Sequence, residues 1–289
     1  MFYLIATILL NVVISVQFKL YPRYNINALQ ALVANYIVCV VTGSIFIGHQ
    51  PFTTVHFHSA WLPWALLMGA GFISVFNLSA YTTKVDGITT AIIANKLSLV
   101  IPAIFSIVLY HELAGAAKIA GILLAFPAVY LTTRVESDGH KGQGLLLPAL
   151  LFIGGGLLDT LMKYVQFRFL GSADVQAVYS IYCFATAGCI GIILVSVLLL
   201  LKKITFHWKN VIAGICLGIP NYFSIYLMIR MLNSNFLQSS AAIPVLNIGI
   251  LVASALTAII FFREKTNLLR FLGLAMSVIA ILLIAFGDK

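Results

Sequence analysis

Charged and amide side chains interrupt several long apolar stretches of this chain. The stretch from Gly87 to Glu112 is long enough to cross a bilayer and carries Lys96 near its middle. A lysine at that depth costs about 2.5–3.5 kcal/mol to insert, so it normally faces a polar cavity or a partner. Lys96 is therefore predicted to meet a carboxylate or phosphate of a bound molecule. Pairing with a protein carboxylate, or extension to the membrane surface, would instead make it structural.

Asp159 and Lys163 form a second charged group within an apolar stretch. Residues four apart lie on one face of a helix, and an acid placed before a base is the favourable order. Two interpretations stay open. The pair neutralises itself so that the helix inserts more easily, or Asp159 is a proton site or a substrate contact.

Amides and tyrosines complete the predicted binding residues. Asn95 and Asn247 occupy matched positions in two similar stretches of the chain. Buried amides bind polar solutes or hydrogen-bond across helices, the latter contributing about 0.6 kcal/mol each. The predicted substrate-binding residues are Lys96, Asn95, Asn247, Asp159, Lys163, Tyr81, Asn77, Asn221 and Tyr226.

Motifs for catalysis or cofactor binding do not emerge from the sequence. His111-Glu112 lacks the second histidine of a zinc-protease motif, because position 115 is Gly. The chain has neither a GxSxG nucleophile motif nor a GxxxxGK[ST] phosphate loop. Loop histidines without a carboxylate are a weak metal signal. We expect no catalytic residues, no metal site and no bound cofactor.

Composition places the chain in a membrane. Its 289 residues are 62% hydrophobic and 9% charged, against roughly 25% charged in a soluble domain. The net charge of +9 comes from basic residues that sit mostly at segment ends, where they set orientation and meet anionic lipid. We therefore expect an integral membrane protein without a sizeable soluble domain and without a nucleic-acid partner. The four cysteines fall in apolar segments and are predicted to be buried: Cys39, Cys183, Cys189 and Cys216.

Ten segments approach the roughly 20 apolar residues that a spanning helix needs. They are too long and too uniformly apolar for the alternating strands of a barrel. Helices are the remaining way to satisfy the backbone in lipid. The predicted spans are 2–20, 27–47, 61–83, 87–110, 114–133, 144–166, 174–201, 209–232, 236–262 and 267–286.

The second half of the chain resembles the first. Besides the matched asparagines, Glu112 aligns with Glu264 and Gly121 with Gly273. The predicted organisation is a five-helix repeat in residues 1–136, a connecting loop in 137–143, and a second repeat in 144–289. Because five is odd, the second copy enters the membrane from the opposite face, as in many secondary transporters. The fold expected is all-α, with ten transmembrane helices as two inverted repeats around a central cavity.

Orientation is decided by the basic residues of the loops. The odd-numbered loops hold most of them, while the even-numbered loops hold chiefly Arg168 and Arg230. The positive-inside rule then places the odd-numbered loops in the cytoplasm and both termini outside.

The chain resembles the drug/metabolite transporter superfamily, in its ten-helix, EamA-like branch. The resemblance is carried by Tyr110-His111-Glu112 and Phe262-Arg263-Glu264, each followed by a helix with a glycine about nine residues on, namely Gly121 or Gly273. It implies a cavity lined largely by helices 1, 3, 4, 6, 8 and 9, and transport, often export, of small organic metabolites. It also implies cytoplasmic termini, against the charge count. His111 replaces the glycine usual in the family.

The function expected is secondary active transport by alternating access, without enzymatic activity. The expected substrate is a small amphipathic or anionic metabolite, such as an amino acid, driven by its own gradient or by protons. A sugar or sugar nucleotide held by the amides is the alternative. A non-transporting scaffold and an intramembrane enzyme are more remote. We expect a monomer or homodimer in a bacterial plasma (inner) membrane, in contact with lipid.

Overall fold

The computed structural model describes residues 1–52, 59–110, 115–133, 145–233, 239–264 and 267–286. All regular secondary structure in these ranges is helical. The helices are α1 (Phe2–Arg23), α2 (Ala28–Ile47), α3 (Leu62–Asp86), α4 (Ile88–Leu97), α5 (Val100–Tyr110), α6 (Ala116–Thr133), α7 (Leu146–Phe169), α8 (Ala173–Leu200), α9 (Trp208–Asn233), α10 (Ser239–Phe262) and α11 (Leu268–Phe286).

Nine helical segments in the described ranges are long and apolar enough to cross a membrane, counting α4 with the start of α5 as one. The apolar part of α6 is shorter. The protein is thus an all-helical, multi-pass membrane protein, as composition predicts. The predicted span boundaries agree with the helices to within three residues. The predicted connecting loop at 137–143 lies outside the described residues.

The fourth predicted span is two helices rather than one. The break falls at Ser98 and Leu99, between α4 and α5. Pro102 accounts for its position, because a proline ring clashes with the carbonyl four residues earlier, here that of Ser98. By contrast, α7 runs unbroken through three consecutive glycines, Gly154-Gly155-Gly156. These glycines permit close packing, as the site below shows.

The chain divides into two compact units. Unit 1 comprises Met1–Leu20, Leu78–Leu157 and Phe223–Lys289, and unit 2 comprises Tyr21–Asn77 and Leu158–Tyr222. Each unit draws on both halves of the sequence, so the compact units differ from the predicted repeats. The repeat is a relation between sequence segments, and it stays a prediction.

The core of unit 1 lies among α4, α6, α10 and α11. Ile93, Leu97, Leu251 and Ile281 are fully buried there. Helices α6 and α11 approach closely at Gly121, where an added Cβ would lie 2.9 Å from the Ala280 carbonyl oxygen. Small residues of this kind let membrane helices gain van der Waals contact that a bulkier side chain would prevent.

In unit 2, α2 packs against α8 and α9. A Cβ at Gly218 of α9 would lie 2.7 Å from the Cβ of Val38 and 2.9 Å from the carbonyl oxygen of Asn35 in α2. Gly214, one turn earlier, meets Ala31 and Ala34 in the same way. This pair of glycines therefore lets α9 approach α2 closely.

The cysteine prediction holds for two of the four residues. Cys39 and Cys183 are buried, whereas Cys189 and Cys216 are exposed at helix surfaces. The reason is that an apolar membrane helix presents one face to other helices and another to lipid. Position in an apolar segment therefore does not by itself imply burial.

Candidate functional site: the half-helix that carries Lys96

Helix α4 begins without a side-chain cap of its own. Its N-cap residue, Gly87, has φ +91° and no side chain to accept from the first backbone N–H groups. The carboxylate of Glu264, just beyond the end of α10, supplies the missing acceptors. Ile88 donates its backbone N–H to Oε1 at 2.8 Å, and the Thr89 hydroxyl donates to Oε2 at 3.1 Å. A carboxylate at this end also complements the helix dipole.

Gly87 is needed at this cap for two reasons. A positive φ of this size disfavours any residue with a Cβ. A Cβ built there would also lie 2.9 Å from Oε1 of Glu264. The glycine therefore allows both the turn out of α3 and the close approach of the carboxylate.

Two cations accompany the buried carboxylate. Lys19 of α1 lies 3.3 Å from Oε1 of Glu264, and Arg270 of α11 lies 3.7 Å from Oε2. The side chains of Glu264 and Arg270 are each 4% exposed, and that of Lys19 is 19% exposed. Burying an unpaired charge would cost several kcal/mol, and this pairing offsets much of that cost. Glu264 thus joins α1, α4 and α11.

The other end of α4 is the break at Ser98. Lys96 lies in the last turn of α4, half-buried, and takes part in interactions within the structure. A cation in the last turn is favourable with the helix dipole. Asn95 is also half-buried, and its carbonyl accepts a hydrogen bond from the Ser98 hydroxyl. Polar groups therefore concentrate where the membrane-spanning segment is interrupted.

The glycines of α7 pack directly against this break. A Cβ at Gly155 would lie 3.1 Å from the Ser98 hydroxyl oxygen and 3.4 Å from Nδ2 of Asn95. One at Gly156 would lie 2.5 Å from Cδ1 of Ile101 and 2.7 Å from the Ser98 carbonyl oxygen. The candidate site is therefore the end of α4, comprising Asn95, Lys96 and Ser98 beside the α7 glycines, all within unit 1.

The other predicted binding residues are divided between the units. Asn247, Tyr81 and Tyr226 belong to unit 1, and of these Asn247 and Tyr226 are half-buried while Tyr81 is exposed. Asn247 lies on α10, which packs against α4. Unit 2 holds the exposed Asp159 and Lys163, the half-buried Asn77 and the buried Asn221.

Two of the predicted amides make hydrogen bonds to other groups of the protein, one between two helices and one within a helix. Asn221 donates from Nδ2 to Oδ1 of Asn35 at 3.1 Å, which links α9 to α2 where Gly218 brings them together. Asn77 donates to the carbonyl oxygen of Ile73, one turn earlier in α3. These contacts favour a structural role for both amides, and contact with a substrate stays a prediction for them.

Sequence reasoning missed the residues that hold α4. No role was predicted for Lys19, Thr89 or Arg270, and Glu264 was noted only for its match to Glu112 and in the motif Phe262-Arg263-Glu264. One signal was present. A short helix that begins after glycine must find its cap elsewhere, and a carboxylate in an apolar surrounding is a candidate acceptor. Glu112, the residue of the first repeat that aligns with Glu264, lies outside the described residues.

Comparison with other proteins finds a similar sequence and a similar fold, and the descriptions of these proteins name no activity. No family model matches the chain. An uncharacterized protein of Haemophilus influenzae is 29% identical over 294 residues, which cover 99% of this chain and 98% of the relative. One solved crystal structure of a protein matches with a TM-score of 0.58 and 13% identity, over 97% of this chain and 98% of that chain. At that identity the structural likeness concerns the fold alone.

Proposed function

We propose that this protein is a secondary active transporter of the EamA-like type, which moves a small anionic or amphipathic metabolite by alternating access. The observation that carries the proposal is the interrupted fourth span, with Lys96 and Asn95 in the turn before the break. Secondary transporters typically bind substrate at discontinuous membrane helices. An ionisable residue within a span is a functional hypothesis by default.

The matched halves support the same proposal. Lys118 and Arg270 align in the predicted repeat, and both are buried, at 6% and 3% exposure. Gly121 and Gly273 align as well and are also buried. Shared environments at matched positions favour two copies of one structural unit. Because each copy would have five spans, the copies would be inverted, and exchange of their conformations would give alternating access.

The substrate class follows from charge. Lys96 would meet a carboxylate or phosphate, while Asn95 and Asn247 would bind polar groups of the same solute. An amino acid carries such a carboxylate, and export across a bacterial inner membrane is the direction proposed. The energy would come from the gradient of the solute or of protons. A neutral sugar or a sugar nucleotide, bound mainly by the amides, is the competing substrate.

The test is ligand-induced thermal stabilisation of the purified protein. The panel would contain amino acids, organic acids, sugar phosphates, neutral sugars and lipophilic cations. We expect anionic ligands to raise the melting temperature of the wild type and of Lys84→Ala, which removes an exposed lysine elsewhere. Lys96→Ala should abolish that rise. Stabilisation by neutral or cationic ligands that persists in Lys96→Ala would contradict the anion proposal and direct attention to Asp159 and the asparagines.

Flux measurements then separate transport from binding. Proteoliposomes loaded with the stabilising ligand should release it faster than vesicles containing Lys96→Ala protein. Binding without flux would contradict transport and favour a receptor or scaffold.

A further inference from the structure

One end of unit 2 carries a cluster of exposed cations and aromatic side chains, which we name the basic rim. Its members come from the end of α1 and the loop that follows it, and from the loop between α8 and α9 together with the first residues of α9. The basic rim consists of Arg23, Tyr24, Lys202, Lys203, Phe206, Trp208 and Lys209, all of them exposed.

Hydrogen bonds hold the two loops together. Lys209 donates from Nζ to the carbonyl oxygen of Tyr24 at 3.2 Å. Gln30 of α2 donates to the carbonyl oxygen of Thr205 at 2.8 Å and accepts from Nδ2 of Asn210 at 2.7 Å. Asn210 also accepts from the backbone N–H of Asn27 at 3.0 Å. The cations of the two loops therefore belong to one ordered surface.

The lysine pair is fixed to the end of α8. The backbone N–H of Lys202 donates to the carbonyl oxygen of Leu199, and that of Lys203 to the carbonyl oxygen of Leu198, both at 2.9 Å. Lys202 has φ +52°, the left-handed conformation in which many helices end. The two side chains therefore leave the helix from an ordered turn.

Charge in this region is of one sign. The segments 17–30 and 200–212 contain no Asp or Glu. No carboxylate within the described ranges forms an ion pair with Arg23, Lys202, Lys203 or Lys209. Phe206 and Trp208 pack edge to face with ring centroids 5.5 Å apart, and Trp208 is 72% exposed. Exposed tryptophan beside basic residues at the ends of membrane helices is typical of the lipid headgroup region.

We propose that the basic rim is a binding surface for anionic phospholipid headgroups, with the lysines meeting the phosphate and Trp208 lying at headgroup level. Several cations near an anionic leaflet attract its lipids, and the attraction adds over the cations. This surface lies entirely within unit 2, and the proposal does not depend on transport. It also assigns this end of the protein to the leaflet that is richer in anionic lipid.

Trp208 provides a local reporter. The full-length protein would be reconstituted in phosphatidylcholine vesicles that contain a small fraction of brominated phosphatidylglycerol or brominated phosphatidylcholine, since bromine quenches a nearby tryptophan. The signal of Trp208 is the difference between the wild type and Trp208→Phe. We expect the anionic lipid to quench it at a fraction lower by at least about fivefold, because even one lysine near an anionic surface contributes roughly that factor.

Charge variants complete the test. Replacing Lys202, Lys203 and Lys209 together by Gln should remove the preference for the anionic lipid, while replacing them by Arg should keep it. A control with Lys84→Gln and Arg168→Gln, two exposed cations outside the rim, should also keep it. Equal quenching by both lipids, or a preference that persists in the Gln variant, would overturn the proposal. So would its loss in the control, or displacement of the lipid by millimolar inorganic phosphate, which would indicate a site for a soluble anion.

Discussion

Glu264 joins three helices of unit 1 through one carboxylate. Because the Lys19 and Arg270 cations lie against it in a buried place, a neutral side chain at position 264 removes a negative charge that both cations contact. We expect Glu264→Gln to destabilise the protein by about 3–5 kcal/mol, the usual effect of breaking a buried pair. Thermal unfolding in a mild detergent would measure this. The control is Asp174→Asn, which removes an exposed carboxylate. It is measured at alkaline pH, where the neighbouring His49 is neutral and no longer pairs with Asp174 as a cation. Equal melting temperatures for the two variants would contradict the inferred role of Glu264.

His49 and Asp174 form a pH-dependent contact between the end of α2 and the start of α8. Nε2 of His49 lies 2.9 Å from Oδ1 of Asp174. The hydrogen bond to Asp174 raises the pKa of His49 above its ordinary value of 6.5. The folded state therefore holds the proton more tightly, so the contact stabilises fully below the unfolded pKa and is lost as the pH rises through the folded pKa.

Thermal unfolding of His49→Gln and of the wild type at several pH values tests this direction of the pH dependence. The wild type should exceed the variant in melting temperature at acidic pH, and the difference should vanish at alkaline pH. In an Asp174→Asn background the pH-dependent difference should be absent. A difference that is constant across pH would show that the contact does not depend on protonation of the imidazole.

At the scale of the helices, the break between α4 and α5 depends on close packing by α7. A Cβ at Gly156 would collide with Ile101 and with the carbonyl oxygen of Ser98, and backbone cannot yield as a flexible side chain does. We expect Gly156→Ala to destabilise by about 1–3 kcal/mol, the range for overpacking. It should also weaken any ligand response that requires Lys96. Gly171→Ala is the matched control, because nothing lies within 4 Å of a Cβ there. Similar melting temperatures for the two variants would contradict the proposed packing.

At the scale of the whole molecule, contacts within unit 2 predict which loops share a membrane face. The basic rim joins the loop after α1 to the loop after α8, whereas the His49–Asp174 contact joins the opposite ends of α2 and α8. Helix α2, at 20 residues, is about 30 Å long, enough to separate the two faces. Single cysteines at Tyr24 and Lys203 should therefore react with an impermeant thiol reagent from one side, and cysteines at His49 and Gly171 from the other.

The labelling would use a background in which the exposed Cys189 and Cys216 are replaced by serine. Reaction of Tyr24→Cys and Lys203→Cys from opposite sides would contradict the arrangement. The side on which they react also decides between the orientation from the charge count and that of the resembled family. Cytoplasmic reaction would support the former and place the N-terminus outside.

Composition and segment length are sufficient to predict an all-helical membrane protein and the outer bounds of its apolar segments. The reason is local, since a span must be apolar over its own length whatever its neighbours are. The break in the fourth span also has a local cause in Pro102. The locations of Lys96 and Asn95 near that break follow from these elements alone.

Which polar groups meet across helices was decided only by tertiary structure. Glu264 finds Lys19, Ile88 and Thr89 on other helices, and Asn221 finds Asn35. Hydropathy does not predict such partners, because lipid tails and core side chains are equally apolar and a helix can turn either face inward. The same ambiguity explains why two cysteines predicted to be buried are exposed. Close packing at glycines determines which face of a helix turns toward its neighbours, and the polar contacts between helices follow from that orientation.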